Sequence, residues 1–96
     1  MIIKCDKHGP QSGLEVSSDI ANNVRMKSPV NNLVIVSFEY LDDIVHTYYL
    51  SRDYAQKYKL ENNMVIPLPD NYPDWVLGLV PLCKKCLLEI APDVLG

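Results

Sequence analysis

Two apolar stretches dominate the middle of the chain. Residues 33–41 read Leu-Val-Ile-Val-Ser-Phe-Glu-Tyr-Leu and residues 44–50 read Ile-Val-His-Thr-Tyr-Tyr-Leu. Both are rich in β-branched and aromatic side chains, which fit a pleated, half-buried surface. Asp42-Asp43 between them has the length of a two-residue turn, so the pattern predicts a β-hairpin. In that register Leu41 faces Ile44, Glu39 faces His46 and Ser37 faces Tyr48. The opposite face then carries Val34, Val36, Phe38, Tyr40, Val45, Thr47 and Tyr49, the more uniformly apolar set, and is expected to be the core face.

Shorter signals flank the hairpin. Ile2-Ile3-Lys4 reads as a strand leading into Cys5. Ser17-Ser18-Asp19 is suited to cap a helix that places Ile20, Ala21 and Val24 on one side. Ser51 caps a second helix through about Lys59, with Leu50 and Ala55 at the positions of a hydrophobic staple. Met64-Val65-Ile66 is a third strand candidate. Pro67, Pro69 and Pro73 keep the next stretch out of a sheet interior and on the surface. Residues 75–80 fit either a strand or a short helix, and residues 86–91 fit one or two helical turns ended by Pro92. These elements predict an α+β fold: a small antiparallel sheet centred on the hairpin, with two or three short helices.

Composition narrows the class. Ninety-six residues, 48% hydrophobic and 22% charged, make one globular domain spanning residues 1–96 with room for a modest core. No apolar run approaches the length of a membrane span, and the first residues lack the basic-then-apolar pattern of a secretory leader. Three cysteines, an odd number, suit thiolates in a reducing compartment better than a disulfide framework, so a cytoplasmic location without membrane contact is expected. The net charge is −3, with acidic residues at Asp42, Asp43, Asp70, Asp74, Glu89 and Asp93. A basic partner is therefore expected ahead of a nucleic acid.

The candidate chemistry lies at the chain ends. Cys5-x2-His8 and Cys83-x2-Cys86 use all three cysteines and one of the two histidines. A two-residue spacer lets one tight turn aim two side chains at a single ion, and a Cys3His set is a ligand arrangement of structural zinc. Gly9 directly after His8 suits the sharp turn that follows a second ligand. Such a site would clasp the two ends of the domain. Buried free cysteines beside a surface histidine, an iron site and a dithiol redox pair are the competing readings. Four protein ligands leave no open position for catalysis, and the deaminase pattern fails for lack of His-x-Glu.

Cys5, His8, Gly9, Cys83 and Cys86 together resemble a treble-clef or zinc-ribbon-like finger, a knuckle followed much later by a CxxC that opens a helix. The resemblance implies a structural zinc held by the four ligands. In size and acidity the chain is also similar to bacterial immunity proteins that neutralise polymorphic toxins, which implies an inhibitor acting by occlusion. The expectation is therefore a non-enzymatic protein-binding module whose contact surface includes Asp42, Asp43, Asp70, Tyr72, Asp74 and Trp75. The alternative is a nucleic-acid-associated zinc protein using Lys4, Lys7, Lys84 and Lys85 around the finger. A third reading, an enzyme built on His46 and Glu39, needs a pocket around that pair.

Overall fold

The computed structural model describes residues 2–30, 33–39 and 45–91. In chain order the elements are β1 (Ile2–Cys5), β2 (Gly9–Val16), α1 (Ser18–Arg25), β3 (Val34–Glu39), β4 (Val45–Leu50), α2 (Arg52–Lys57), β5 (Met64–Pro67), α3 (Asp74–Leu77), β6 (Val80–Cys83) and α4 (Lys84–Ile90). The sheet is open and runs β1-β2-β4-β3-β5, with β6 antiparallel to the second half of β2. The α+β architecture and the antiparallel hairpin at its centre are as the sequence predicts. Beyond the hairpin the sheet is mixed, because β2 pairs with β4, and β3 with β5, in parallel. Parallel neighbours need a crossover connection, which α1 and α2 help to supply; four short helices are described rather than two or three.

The hairpin register differs from the expected one by a single residue. Phe38 lies opposite His46, Ser37 opposite Thr47 and Glu39 opposite Val45. Successive side chains alternate between faces, so this slip moves every β4 side chain to the other side of the sheet. Tyr48 and Leu50, not Thr47 and Tyr49, join Val34, Val36 and Phe38. The turn expected at Asp42-Asp43 lies outside the described residues.

Both faces of the hairpin are covered. On one, Val34, Val36, Phe38, Tyr48 and Leu50 pack with Ala55 of α2 and Trp75 of α3. Phe38, Tyr48 and Trp75 meet with ring centroids 5.4–5.5 Å apart, in edge-on and tilted arrangements that suit aromatic quadrupoles. On the other face, Val16 and Tyr49 pack with Ile20 of α1 and with Leu87 and Ala91 at and just beyond α4. This second core anchors the helix that carries one half of the candidate site.

A buried polar link fixes the starts of α1 and α2 side by side. Parallel β2 and β4 are each followed directly by a serine, Ser17 and Ser51, that is the N-cap of a helix. Ser17 is fully buried. Its hydroxyl donates to Asp19 Oδ1 (2.6 Å) and accepts from the Ser51 amide (2.9 Å). The Ser51 hydroxyl donates to Asp19 Oδ2 and accepts from the Tyr54 amide at 3.1 Å. Asp19 Oδ1 also accepts from the Ile20 amide (3.0 Å), so one carboxylate serves both helix starts.

Candidate metal centre

Cys5 and His8 sit on the turn joining β1 to β2. The antiparallel pairing of Cys5 with Gly9 closes that turn tightly. Gly9 adopts a φ of +71°, and nothing lies within 4 Å of where a Cβ would stand. The backbone conformation, not crowding, is therefore what calls for glycine. Cys83 ends β6 and is the N-cap of α4, and Cys86 falls in the first turn of that helix. β6 pairs with β2 so that Cys83 lies opposite Gly13, which brings the second ligand pair to the knuckle.

The four side chains converge. Their ligand atoms all lie within 4.8 Å of one another. His8 Nδ1 is 3.6 Å from Cys5 Sγ and 3.5 Å from both Cys83 Sγ and Cys86 Sγ, and Cys5 Sγ is 3.6 Å from Cys86 Sγ. Three sulfurs thus surround one imidazole nitrogen at nearly equal distances. Cys83 is buried, while the other three ligands are partly exposed.

Glu89, one helical turn beyond Cys86, completes the arrangement. Its Oε1 lies 3.0 Å from His8 Nε2 and its Oε2 accepts from Lys7 Nζ at 2.9 Å. With Nε2–H donating to the carboxylate, Nδ1 keeps its lone pair and faces the sulfurs, as a ligand must. The hydrogen bond from Lys7 holds the Glu89 carboxyl below its ordinary range, and Glu89 in turn raises Lys7. No motif in the sequence marks Glu89 as part of the site. Its only signal is a carboxylate three residues after a ligand, on the same face of a helix.

The thiols respond unequally to this environment. The backbone amides of His8 and then Lys7 donate to Cys5 and lower its pKa to about 6. Burial, followed by hydrogen bonds with Cys5 and Cys83, pushes Cys86 up to about 12. Without a cation the site therefore holds a thiolate at Cys5 beside a thiol at Cys86. A cation would remove the repulsion between neighbouring thiolates and draw the remaining protons off. The set can hold a metal ion through four donors.

The other candidate residues lie apart from the centre. Asp70 and Asp74 are exposed, on the segment between β5 and α3 and at the start of α3. Tyr72 is 51% exposed, its ring stacked 6.2 Å from Phe38. Trp75 is 6% exposed and belongs to the core, so its ring is not available to a contact surface. Asp42 and Asp43 lie outside the described residues. His46 and Glu39 are on opposite faces of the hairpin; His46 Nε2 is 3.5 Å from Glu15 Oε1, and its ring meets Tyr48 at 4.8 Å. The acid–base pair on which an enzyme reading rested is thereby dissolved by the register.

No helix among the described residues is long and apolar enough to cross a membrane. Compared with known protein families, curated proteins and solved structures, the chain matches none of them.

Proposed function

We propose that Cys5, His8, Cys83 and Cys86 hold a structural zinc ion, and that the domain is a non-enzymatic module that binds another protein. The observation that carries the metal reading is the set of 3.5–3.6 Å contacts within the cluster. Zinc at about 2.3 Å from sulfur and about 2.0–2.1 Å from nitrogen makes a tetrahedron with edges of about 3.5–3.8 Å. Three thiolates and one imidazole favour zinc over calcium or magnesium, which take oxygen, and over iron–sulfur clusters, which take four thiolates. Ligands from a hairpin turn and from a helix start also support the likeness to a treble-clef finger. Saturation by four protein donors favours a clasp over a catalyst.

The partner reading rests on Asp70, Tyr72 and Asp74, exposed together on one segment, with Asp42 and Asp43 joining them on sequence grounds. Carboxylates around a half-exposed ring suit a basic partner, whose approach they would steer. Occlusion of that partner, in the manner of an immunity or inhibitor protein, is the activity we infer, in a cytoplasmic setting that the three thiolates favour.

Metal analysis of freshly purified protein should give about one zinc per chain, and chelation should reduce its helical circular dichroism. Protein lacking zinc and indifferent to chelation would overturn the metal reading. The partner surface is tested with Asp70→Asn/Tyr72→Ala/Asp74→Asn. The folded triple variant should lose a basic co-purifying partner that the parent retains at low salt; equal retention would overturn the surface.

A further inference from the structure

Each of the four ligands has a lysine as an immediate chain neighbour. Lys4 precedes Cys5, Lys7 precedes His8, Lys84 follows Cys83, and Lys85 precedes Cys86. Because the ligand atoms lie within 4.8 Å of one another, the backbones of two lysines from each end of the chain are brought close to one centre. Lys27, just past the end of α1, joins them. It lines a cleft of about 280 Å³ together with Lys7, Cys86 and Glu89, with Val24 and Ile90 as its apolar walls.

Among the described residues, Asp6 and Glu89 oppose these five. Asp6 is exposed on the knuckle, and Glu89 already spends one oxygen on Lys7 and the other on His8. A zinc ion held by three thiolates and a neutral imidazole adds a net charge of about −1, so in a chain of net charge −3 the five lysines still leave a local excess of positive charge. Lys84 and Lys85 occupy the first two positions of α4, and an anion supplied from outside would offset this excess of cations.

We propose that this group of lysines binds the phosphate backbone of a nucleic acid, and that it is assembled only while the metal joins the two chain ends. It rests on the metal reading above, and is separate from the surface around Asp70 and Asp74. A protein partner would need apolar anchors beside the charges. Among the described residues the large exposed apolar side chains near the lysines are Ile2 on β1 and Met26 beside Lys27, set singly, whereas Val45, Met64, Val65, Leu68, Tyr72 and Leu77 lie elsewhere. Apart from the ligating imidazole of His8, no aromatic ring stands on the knuckle or in the first turn of α4 to stack on an unpaired base. Lysines acting as point charges fit phosphates without reading sequence, so a duplex bound irrespective of sequence is the expected ligand.

The test uses the full, metal-loaded chain and a labelled DNA duplex, followed by fluorescence anisotropy. Neutralising about four phosphates gives a log–log salt slope of about −3.6. Lys84→Ala/Lys85→Ala should reduce the magnitude of that slope by about 2 and weaken binding tenfold or more for any sequence. Stripping the metal should abolish binding and zinc should restore it, while Asp70→Asn/Asp74→Asn should leave it unchanged. Should Lys84→Ala/Lys85→Ala lose its metal, Lys4→Ala/Lys27→Ala carries the same expectation. No duplex binding at about 50 mM salt, unchanged binding by a metal-loaded lysine variant, or capture of an acidic peptide in preference to duplex would overturn the proposal. Metal content measured on the same samples separates the two readings. Zinc-free protein strikes down the clasp, whereas zinc-loaded protein that ignores the duplex strikes down the lysine site alone.

Discussion

His8 and Glu89, 81 residues apart, meet at 3.0 Å through Nε2 and Oε1, on the side of the imidazole that faces away from the three sulfurs. A carboxylate on α4 thus sets which nitrogen of a knuckle histidine is free to bind metal. Glu89→Ala should lower metal affinity about 10–100-fold, the usual effect of losing such a support. Competition against a chromophoric chelator measures this. Lys7→Ala should have a smaller effect, because Lys7 touches the carboxylate and not the ring. Equal affinities for Glu89→Ala and the parent would leave His8 positioned by the knuckle alone.

The thiols carry a pH dependence of opposite signs. Cys5 ionises at about 6 in the folded chain, against an ordinary value of 9.0. Its thiolate therefore favours folding; the contribution is complete above the unfolded value and is lost as pH falls through about 6. Cys86, raised to about 12, resists ionisation and costs stability as pH climbs from 9.0 towards 12. In metal-free protein, alkylation of Cys5 should reach half its maximal rate near pH 6 while Cys86 stays unreactive at neutral pH. Three cysteines reacting alike, each with an ordinary thiol profile, would contradict this.

Asp19 joins two helices, so its loss should be felt at both. Asp19→Ala leaves the hydroxyls of Ser17 and Ser51 without their acceptor, while the Ile20 amide keeps the Ser17 carbonyl at 3.0 Å. A cost of about 2–3 kcal/mol is expected, the range for hydrogen bonds to a charged group when buried donors are orphaned. Urea unfolding of metal-loaded protein checks it; a loss below about 0.5 kcal/mol, the range of ordinary surface changes, would place the link among replaceable contacts.

Gly78 leaves room for a tyrosine. A Cβ there would stand 2.9 Å from Tyr54 Oη, whose hydroxyl donates to the Trp75 carbonyl at 2.6 Å. Gly78→Ala should cost about 1–2 kcal/mol by displacing that hydroxyl. The cost should shrink in a Tyr54→Phe background, where the contacting oxygen is gone. Additive losses in the double variant would mean that the clash lies elsewhere.

The sequence made the ligands plain and hid their support. Cys5, His8, Cys83 and Cys86 are legible because paired sulfur and nitrogen donors at fixed spacing have few other uses. Glu89 was not legible, since its role exists only once α4 lies against the knuckle. The capping serine of α2 and the strand character of β3 and β4 were equally clear, being local properties. Register was not: Tyr48, Tyr49 and Leu50 are all buried, so β4 is apolar on both faces and alternation cannot choose between them. β2 is hidden in the sequence for a different reason. Its first residues, Gly-Pro-Gln-Ser-Gly, have little strand propensity, and β1 and β6 hold it in place from either end of the chain.

The two cores on opposite faces of the sheet give the molecule two compartments that report on different events. Leu87 and Ala91 tie the compartment of Val16 and Ile20 to α4, and so to the metal ligands. Trp75, the chain's single tryptophan, lies across the sheet with Phe38 and Tyr48. Loss of the metal can therefore free α4 and the chain ends in a local opening while the tryptophan environment persists. Intrinsic fluorescence would then record a folded protein after the clasp had already come undone.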